Sequence, residues 1–224
     1  VACLQSLSPK EIQYAPCLEA TPVTLGPMTG WTWQQNPLKL GMMLARYKFV
    51  ARMLEGSTHV AELGCGDAFG SAVVRSVVNS LDLYDFDEIW TPAVEASGGK
   101  LHIADITKKP LFHRPAEGYG AIYMLDVLEH IQPALERQAM MNICRSLRED
   151  GVFIAGCPTL ESQVYASEIS KKGHVNCRSG RDFRNAMREH FRNVFLFSMN
   201  DETLHVGFPQ MAHYHFVLCV GPIR

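Results

Sequence analysis

The segment over residues 59–70, with the sequence HVAELGCGDAFG, decides the fold of this chain. Its first five residues are typical of a short strand, and Gly64 and Gly66 follow at once. Glycines at a strand-to-helix turn let the backbone approach a ligand closely, because they carry no side chain. We therefore expect a strand–turn–helix unit whose turn forms part of a ligand site.

Two features of this turn favour a cationic ligand over a nicotinamide or flavin dinucleotide. The dinucleotide fingerprint places its third glycine three residues after the second, whereas Gly70 follows Gly66 by four. Glu62 stands just before the turn, where its carboxylate repels a pyrophosphate and attracts a ligand that carries ammonium and sulfonium charges. The turn thus argues against a nicotinamide-dependent oxidoreductase.

Downstream of this turn, strand-length apolar runs alternate with helix-length segments. We predict strands at 59–63, 81–85, 101–104, 121–125 and 152–155, and helices at 69–79, 92–96 and 133–147. This alternation is typical of a parallel sheet with helices on both faces. After a helix at 179–190, strands at 194–198 and 215–220 have no helix between them, so we expect them to pair antiparallel.

The N-terminal region has a different character. Residues 1–35 include Pro9, Pro16, Pro22 and Pro27 but few periodic apolar residues, which predicts an extended arm or lid. Asn36 and Pro37 then form a helix start signal, and the helical spacing continues to about Leu54. Residues 36–224 are therefore expected to form one folded domain.

Acidic residues follow two of the predicted strands. Ligands of a doubly wound sheet bind beyond the carboxyl ends of its strands. Asp85 ends the second strand, about 20 residues after the glycines, where an acid is suited to accept hydrogen bonds from both hydroxyls of a ribose; Asp87 is the alternative. Asp105 and Ile106 follow the third strand, where they are suited to an adenine amine and the adenine ring.

The fourth strand ends in the sequence LDVLEHI over residues 125–131. Asp126, Glu129 and His130 have the spacing i, i+3 and i+4, so they can share one face beside a ligand. His130 is a candidate general base because the ordinary pKa of histidine lies near neutrality. The alternative interpretation is a structural turn in which His130 caps or packs.

Together, these segments resemble the class I (Rossmann-like) S-adenosylmethionine-dependent methyltransferases, over roughly residues 46–220. The residues that carry the resemblance are ELGCG at 62–66, the acid at the end of the second strand, Ala104 with Asp105, LDVLEHI at 125–131 and LREDG at 147–151. The resemblance implies a doubly wound, mostly parallel α/β sheet of seven strands, with the last strand antiparallel and helices on both faces. It also implies S-adenosyl-L-methionine as cofactor and S-adenosyl-L-homocysteine as product.

The resemblance implies a role for each candidate residue. Contacts to the cofactor are expected from Glu62, Gly64, Cys65, Gly66, Asp85, Asp105, Ile106 and Asp126, with the glycine loop at the methionine portion. Glu129 and His130 are expected to be catalytic, and no metal ligand is assigned. A divalent metal is the alternative, because the spacing is similar to the Glu-x-x-Glu-His motif of metal-dependent ubiquinone-pathway and small-RNA-end methyltransferases. His174 is a candidate for the acceptor pocket.

Composition restricts the partners. The chain has 224 residues, 47% of them hydrophobic, and a net charge of −2, which indicates a globular protein without a strong basic balance that would point to nucleic acid. No apolar run reaches the roughly 20 residues of a membrane span. Seven cysteines without a CxxC pair predict reduced thiols and a cytoplasmic protein. We expect a small-molecule acceptor; a nucleic-acid or protein methyltransferase and a non-catalytic cofactor-binding module are the alternatives.

Overall fold

The computed structural model describes residues 8–111 and 116–224, and a single eight-stranded sheet lies at its centre. The strands are β1 (Val60–Leu63), β2 (Leu81–Asp85), β3 (Leu101–Ile103), β4 (Tyr119–Leu125), β5 (Leu147–Pro158), β6 (Phe191–Asn200), β7 (Thr203–His205) and β8 (Tyr214–Pro222). The helices are α1 (Pro9–Glu19), α2 (Pro27–Gln35), α3 (Pro37–Leu54), α4 (Ser71–Arg75), α5 (Thr91–Ala96), α6 (Pro133–Ser146), α7 (Glu168–Gly173) and α8 (Gly180–Arg188).

The strand order is β3-β2-β1-β4-β5-β8-β6-β7. Strands β1 to β5 are parallel, and β8 lies antiparallel between β5 and β6. The chain runs outward from β1 to β3 and then returns to β4 on the other side of β1. Such a reversal opens a crevice at the carboxyl ends of the strands. The predicted doubly wound, mostly parallel α/β fold is confirmed.

Alternate side chains of β4 pack on opposite faces of the sheet, as the pleat of a strand requires. Ile122 and Met124 belong to a buried cluster with residues of α6 and α8. Tyr123 and Leu125 belong to a second buried cluster with residues of α3. Helices therefore cover both faces, and β4 and the crevice at its end are held from both sides.

Local signals explain where the helices begin and end. The Asn36 side chain accepts a hydrogen bond from the Leu38 N–H at 3.1 Å, and Pro37 lies in the first turn, so α3 begins as predicted. Helix α4 is shorter than the predicted 69–79, because it ends at Arg75. The rest of that segment is rich in valine, serine and asparagine, which have modest helix propensity.

Two predictions are corrected. Residues 203–205 form β7, which pairs antiparallel with β6 across a tight turn at Asp201 (φ +50°), so the sheet has eight strands rather than seven. Hairpin turns of this kind need residues with positive φ, which aspartate tolerates.

The N-terminal region is helical over α1 and α2 rather than extended. Residues 1–7 of the predicted arm lie outside the described residues.

Two general features concern the described ranges alone. No helix there combines the length and the apolar character needed to cross a bilayer. Six cysteines in these ranges have free thiols, and four of them, Cys65, Cys144, Cys157 and Cys219, are buried. Buried thiols of this kind behave as small apolar side chains, so these four contribute to packing.

Candidate functional site

The turn after β1 is the predicted glycine loop. Gly64 has φ +74°, and a Cβ added there would lie 2.3 Å from Cγ2 of Val127 in the loop after β4. A side chain would therefore strain the backbone and also collide with the neighbouring loop. Glycine at this position lets the β1 and β4 loops approach each other at the crevice.

A cavity of about 240 Å³ opens at the carboxyl ends of β1 to β4. Gly64, Asp85, Asp105 and Ile106, four of the predicted cofactor contacts, line this cavity together with His130. Sequence reasoning did not single out Phe86, Thr107, Gln132 and Leu135, which also line it. Phe86 directly follows Asp85 and is 76% exposed. Its position after the acid that ends the strand is the sequence feature that could have identified it as a lining residue.

Asp85 and Asp87 have different roles in the structure. The Asp85 carboxylate is 6% exposed and accepts hydrogen bonds from the Gly66 and Asp87 N–H groups, each at 3.1 Å. Asp87 instead caps a 3-10 turn by accepting from the Ile89 N–H at 3.0 Å. Asp85 thus connects β2 to the glycine loop and lines the cavity, whereas Asp87 is not among the lining residues.

Asp105 presents a charged acceptor to the same cavity. Its carboxylate accepts from the Thr107 N–H at 3.0 Å and hydroxyl at 2.6 Å, and Lys108 Nζ lies 3.0 Å away. Burial opposes ionisation, but the hydrogen bonds from Thr107 and Lys108 outweigh it, so the pKa of Asp105 lies below its ordinary value. The carboxylate is therefore ionised at neutral pH.

Glu62 lies in β1 and Cys65 lies within the glycine loop, and neither is among the residues that line the cavity. The Glu62 carboxylate is 1% exposed and accepts hydrogen bonds from the hydroxyls of Tyr47 at 2.8 Å and Tyr123 at 2.6 Å. Burial raises the pKa of Glu62, and the tyrosine hydrogen bonds oppose that rise. Glu62 thus joins α3 to β1 and β4, whereas sequence reasoning expected a direct contact with the ligand.

The start of α2 lies over the glycine loop. Thr29 donates to the buried Asp67 carboxylate from its N–H at 2.7 Å and from its hydroxyl at 2.9 Å. A Cβ added at Gly66 would come within 2.7 Å of Met28 Cε. Part of the predicted N-terminal arm or lid is therefore attached to the loop that would hold a cofactor.

Asp126 opens the loop after β4 with φ +55°. Its carboxylate accepts two contacts from Arg46 Nη1, at 2.7 and 2.9 Å, and the Arg46 guanidinium lies 3.9 Å from the centre of the Tyr214 ring. This arrangement combines an ion pair with a cation–π contact. Asp126 is not among the cavity-lining residues, so its predicted direct contact with a cofactor has no counterpart in this geometry.

Glu129, His130 and His174 come together beside the cavity. Each offers one donor atom, and these atoms lie within 4.8 Å of one another. His174 reaches the pair because the Val175 and Asn176 N–H groups donate to the Glu129 carbonyl, at 2.8 and 3.0 Å. Sequence reasoning considered His174 for an acceptor pocket but did not join it to Glu129 and His130.

The Glu129 side chain is 1% exposed, and within the described residues neither of its carboxylate oxygens has a hydrogen-bond partner. Burial and the nearby charge of Asp126 raise the pKa of Glu129 well above its ordinary value. Buried polar groups without partners are rare in native proteins and call for an explanation such as a bound ion. The cluster therefore has the donor set of a cation site and a buried carboxyl group without a hydrogen-bond partner.

No family model and no curated protein matches this sequence, but solved structures share its fold. A chain from the complex of the Haloferax volcanii Trm112 methyltransferase activator with a candidate methyltransferase has TM-score 0.66 and 14% identity, covering 87% of this chain and 96% of that chain. The N-methyltransferase NodS from Bradyrhizobium japonicum WM9, in complex with S-adenosyl-L-homocysteine, has TM-score 0.59 and 15% identity, covering 86% and 92%. The methyltransferase domain of bacterial CtHen1-C has TM-score 0.63 and 12% identity, covering 81% and 100%. At these identities the likeness shows the fold, which is the Rossmann-like methyltransferase fold predicted from the sequence.

Proposed function

We propose that this protein is a methyltransferase that binds S-adenosyl-L-methionine and releases S-adenosyl-L-homocysteine. One observation carries the proposal: Gly64, Asp85, Asp105 and His130, from four strand ends, line a single cavity at the switch point of the sheet. Ligands of this fold bind at that point. NodS, which shares the fold, was solved with S-adenosyl-L-homocysteine, and this supports the choice of cofactor.

Within this proposal, each part of the cofactor has a partner. Asp85 takes the ribose hydroxyls, because its buried oxygens each keep an acceptor site beyond the backbone N–H that they already bind. Asp105 takes the exocyclic amine of adenine, and Ile106 packs on the ring. The backbone from Gly64 to Gly66 takes the methionine portion, with Glu62 supporting the loop from below.

The reaction is an in-line displacement. The acceptor atom forms a bond to the methyl carbon as the carbon–sulfur bond breaks, the sulfur keeps the electron pair, and the acceptor loses a proton. Such a reaction depends on holding the acceptor and the methyl group in line. Glu129 and His130 lie at the end of β4, where we place the acceptor. Their side chains assist the removal of the proton that the acceptor atom loses.

The acceptor that we propose is a small molecule. Helix α2 packs on the glycine loop, and within this proposal it limits the size of the acceptor that can reach the cavity. A net charge of −2 supplies no general attraction for the phosphates of a nucleic acid. These two observations favour a metabolite over a macromolecule.

The proposal is tested by calorimetric titration of the full chain with S-adenosyl-L-homocysteine and, separately, with NAD. We expect one molecule of S-adenosyl-L-homocysteine to bind per chain and NAD to give no heat of binding. Binding of NAD without S-adenosyl-L-homocysteine would overturn it. For the acceptor, methyl-labelled S-adenosyl-L-methionine is incubated with a cell extract, and the label is expected in the small-molecule fraction; label in protein or nucleic acid would contradict that part.

A further inference from the structure

We propose that Glu129, His130 and His174 bind one divalent transition-metal ion beside the cofactor cavity. The catalytic use of that ion rests on the proposed methyltransferase function, whereas ion binding is tested on its own. The three donor atoms lie within 4.8 Å of one another. An ion with bonds of about 2.1 Å places its ligands about 3 to 4 Å apart, so small side-chain rotations complete the coordination.

Both histidines are oriented as metal ligands are. His130 Nδ1 lies 2.9 Å from the Gly173 carbonyl oxygen, and His174 Nδ1 lies 2.8 Å from Oε1 of Gln163. Each of these oxygens accepts, so Nδ1 carries the proton and Nε2 keeps its lone pair. An outer hydrogen bond from the second ring nitrogen is the usual companion of a metal-bound histidine. The two imidazole rings meet edge to face, with centroids 5.2 Å apart.

Glu129 supplies the observation that points independently to a cation. Its carboxylate is buried without a hydrogen-bond partner among the described residues, which is costly unless an opposite charge compensates. The neighbouring Asp126 has its own cation in Arg46. Glu129, unlike Asp126, therefore forms no salt bridge within the described ranges. A divalent ion bound to the two histidines would supply the positive charge that the Glu129 carboxylate needs.

The loop that carries His174 is held in place from outside the cluster. The Glu136 carboxylate on α6 accepts from Asn176 Nδ2 at 2.5 Å and from Arg178 Nη2 at 2.7 Å. These bonds act together with the two backbone bonds to the Glu129 carbonyl. A site whose ligands come from two loops needs such support to keep its geometry.

The donor set indicates the class of ion and of acceptor. Two imidazoles with one carboxylate suit Mn²⁺, Co²⁺ or Zn²⁺, whereas Mg²⁺ and Ca²⁺ prefer sites made of oxygen. Three protein ligands leave a position for an oxygen of the acceptor. A bound cation lowers the pKa of a hydroxyl, so we infer that the acceptor is an alcohol or phenol whose proton passes to solvent water.

The test is calorimetric titration of chelator-treated full-length protein with Co²⁺ and with Mn²⁺. We expect the native protein to bind one ion per chain. The affinity for the ion should be at least tenfold weaker in Glu129→Gln and in His174→Gln. It should be about tenfold weaker in Gln163→Leu, which removes only the outer hydrogen bond to His174. His205→Gln is the matched control, because His205 lies on β7 and is hydrogen-bonded to Asn200 rather than to the cluster. This variant should bind the ion as the native protein does.

Titration of each variant with S-adenosyl-L-homocysteine separates the possible failures. Native affinity for that ligand shows that the variant is folded and that its cofactor site is intact. Absence of ion binding by the native protein, or full ion affinity in a folded Glu129→Gln or His174→Gln variant, would overturn the metal site. If the native protein does not bind S-adenosyl-L-homocysteine, the proposed function is overturned instead. The ion titration would still test the metal site independently.

Discussion

Arg46 on α3 and Asp126 at the end of β4 form an ion pair in which one guanidinium nitrogen meets both carboxylate oxygens, at 2.7 and 2.9 Å. The two residues are 80 positions apart. Their pairing joins the first helix of the main domain to the loop that carries Glu129 and His130. It also holds Asp126 in a left-handed conformation, φ +55°, which costs energy that the surrounding contacts must offset.

Replacing Arg46 by methionine tests the contribution of this ion pair. We expect the free energy of unfolding to fall by about 1 to 2 kcal/mol, because a part-buried carboxylate loses its partner while solvent near Asp126 screens part of the cost. Urea unfolding provides the measurement. In the double variant with Asp126→Asn, the loss should be smaller than the sum of the single losses. Additive losses would contradict a coupled pair.

Asp85 and Asp87 are separated by their contacts, and the two alanine variants form a matched pair. Asp85→Ala should weaken the binding of S-adenosyl-L-homocysteine by about 1.5 to 3 kcal/mol, the loss expected for hydrogen bonds to a charged group. Asp87→Ala should leave the affinity unchanged, because Asp87 caps a turn outside the cavity lining. Calorimetry measures both. The reverse pattern would assign the ribose to Asp87.

Local pattern was sufficient for the framework of the fold. Strand β2 has the predicted bounds, 81–85, because Leu81, Leu83 and Tyr84 form a short strand-like segment between the polar pair at 79–80 and Asp85. Asn36 and Pro37 likewise fixed the start of α3 through cap chemistry alone. β7 was missed because three residues after a tight turn are too few to show an alternating pattern.

The candidate site was predictable where its residues follow strand ends, and not where distant segments meet. Asp85 and Asp105 could be found because each stands next to its own strand. The partners of Glu62 and Asp126 could not, because Tyr47, Arg46 and Tyr123 carry no local motif. A helix packed across the sheet brings Arg46 and Tyr47 to these acids, and such contacts depend on tertiary structure rather than on spacing.

Thr29 offers a test of the N-terminal segment as a lid. Thr29→Val keeps the backbone N–H bond to Asp67 but removes the hydroxyl bond of 2.9 Å. A bond of this kind contributes about 1 kcal/mol, so we expect S-adenosyl-L-homocysteine to dissociate several times faster, as measured by stopped-flow. Thr32→Val is the control, since its hydroxyl donates to the Met28 carbonyl within α2 rather than to the glycine loop. Equal dissociation rates in native protein and Thr29→Val would argue against a lid.

His215 on β8 predicts how the stability of the fold depends on pH. The side chain is fully buried beside Gly180, and burial lowers its pKa from 6.5 to about 4. Between these two values the unfolded chain binds a proton that the folded chain does not. The contribution of His215 therefore favours the folded state above pH 6.5 and is lost as the pH falls toward 4.

The loss attributable to His215 should reach about 3 kcal/mol across that window. We expect His215→Leu to unfold with a free energy that depends less on pH, because leucine binds no proton in either state. Urea unfolding of native and variant protein at neutral pH gives the packing cost of the substitution, which is independent of protonation. Repeating the pair at several lower pH values isolates the histidine, since every other titrating group is common to both chains. Two curves that stay parallel from neutral pH to about pH 4 would show that His215 is protonated equally in the folded and unfolded states.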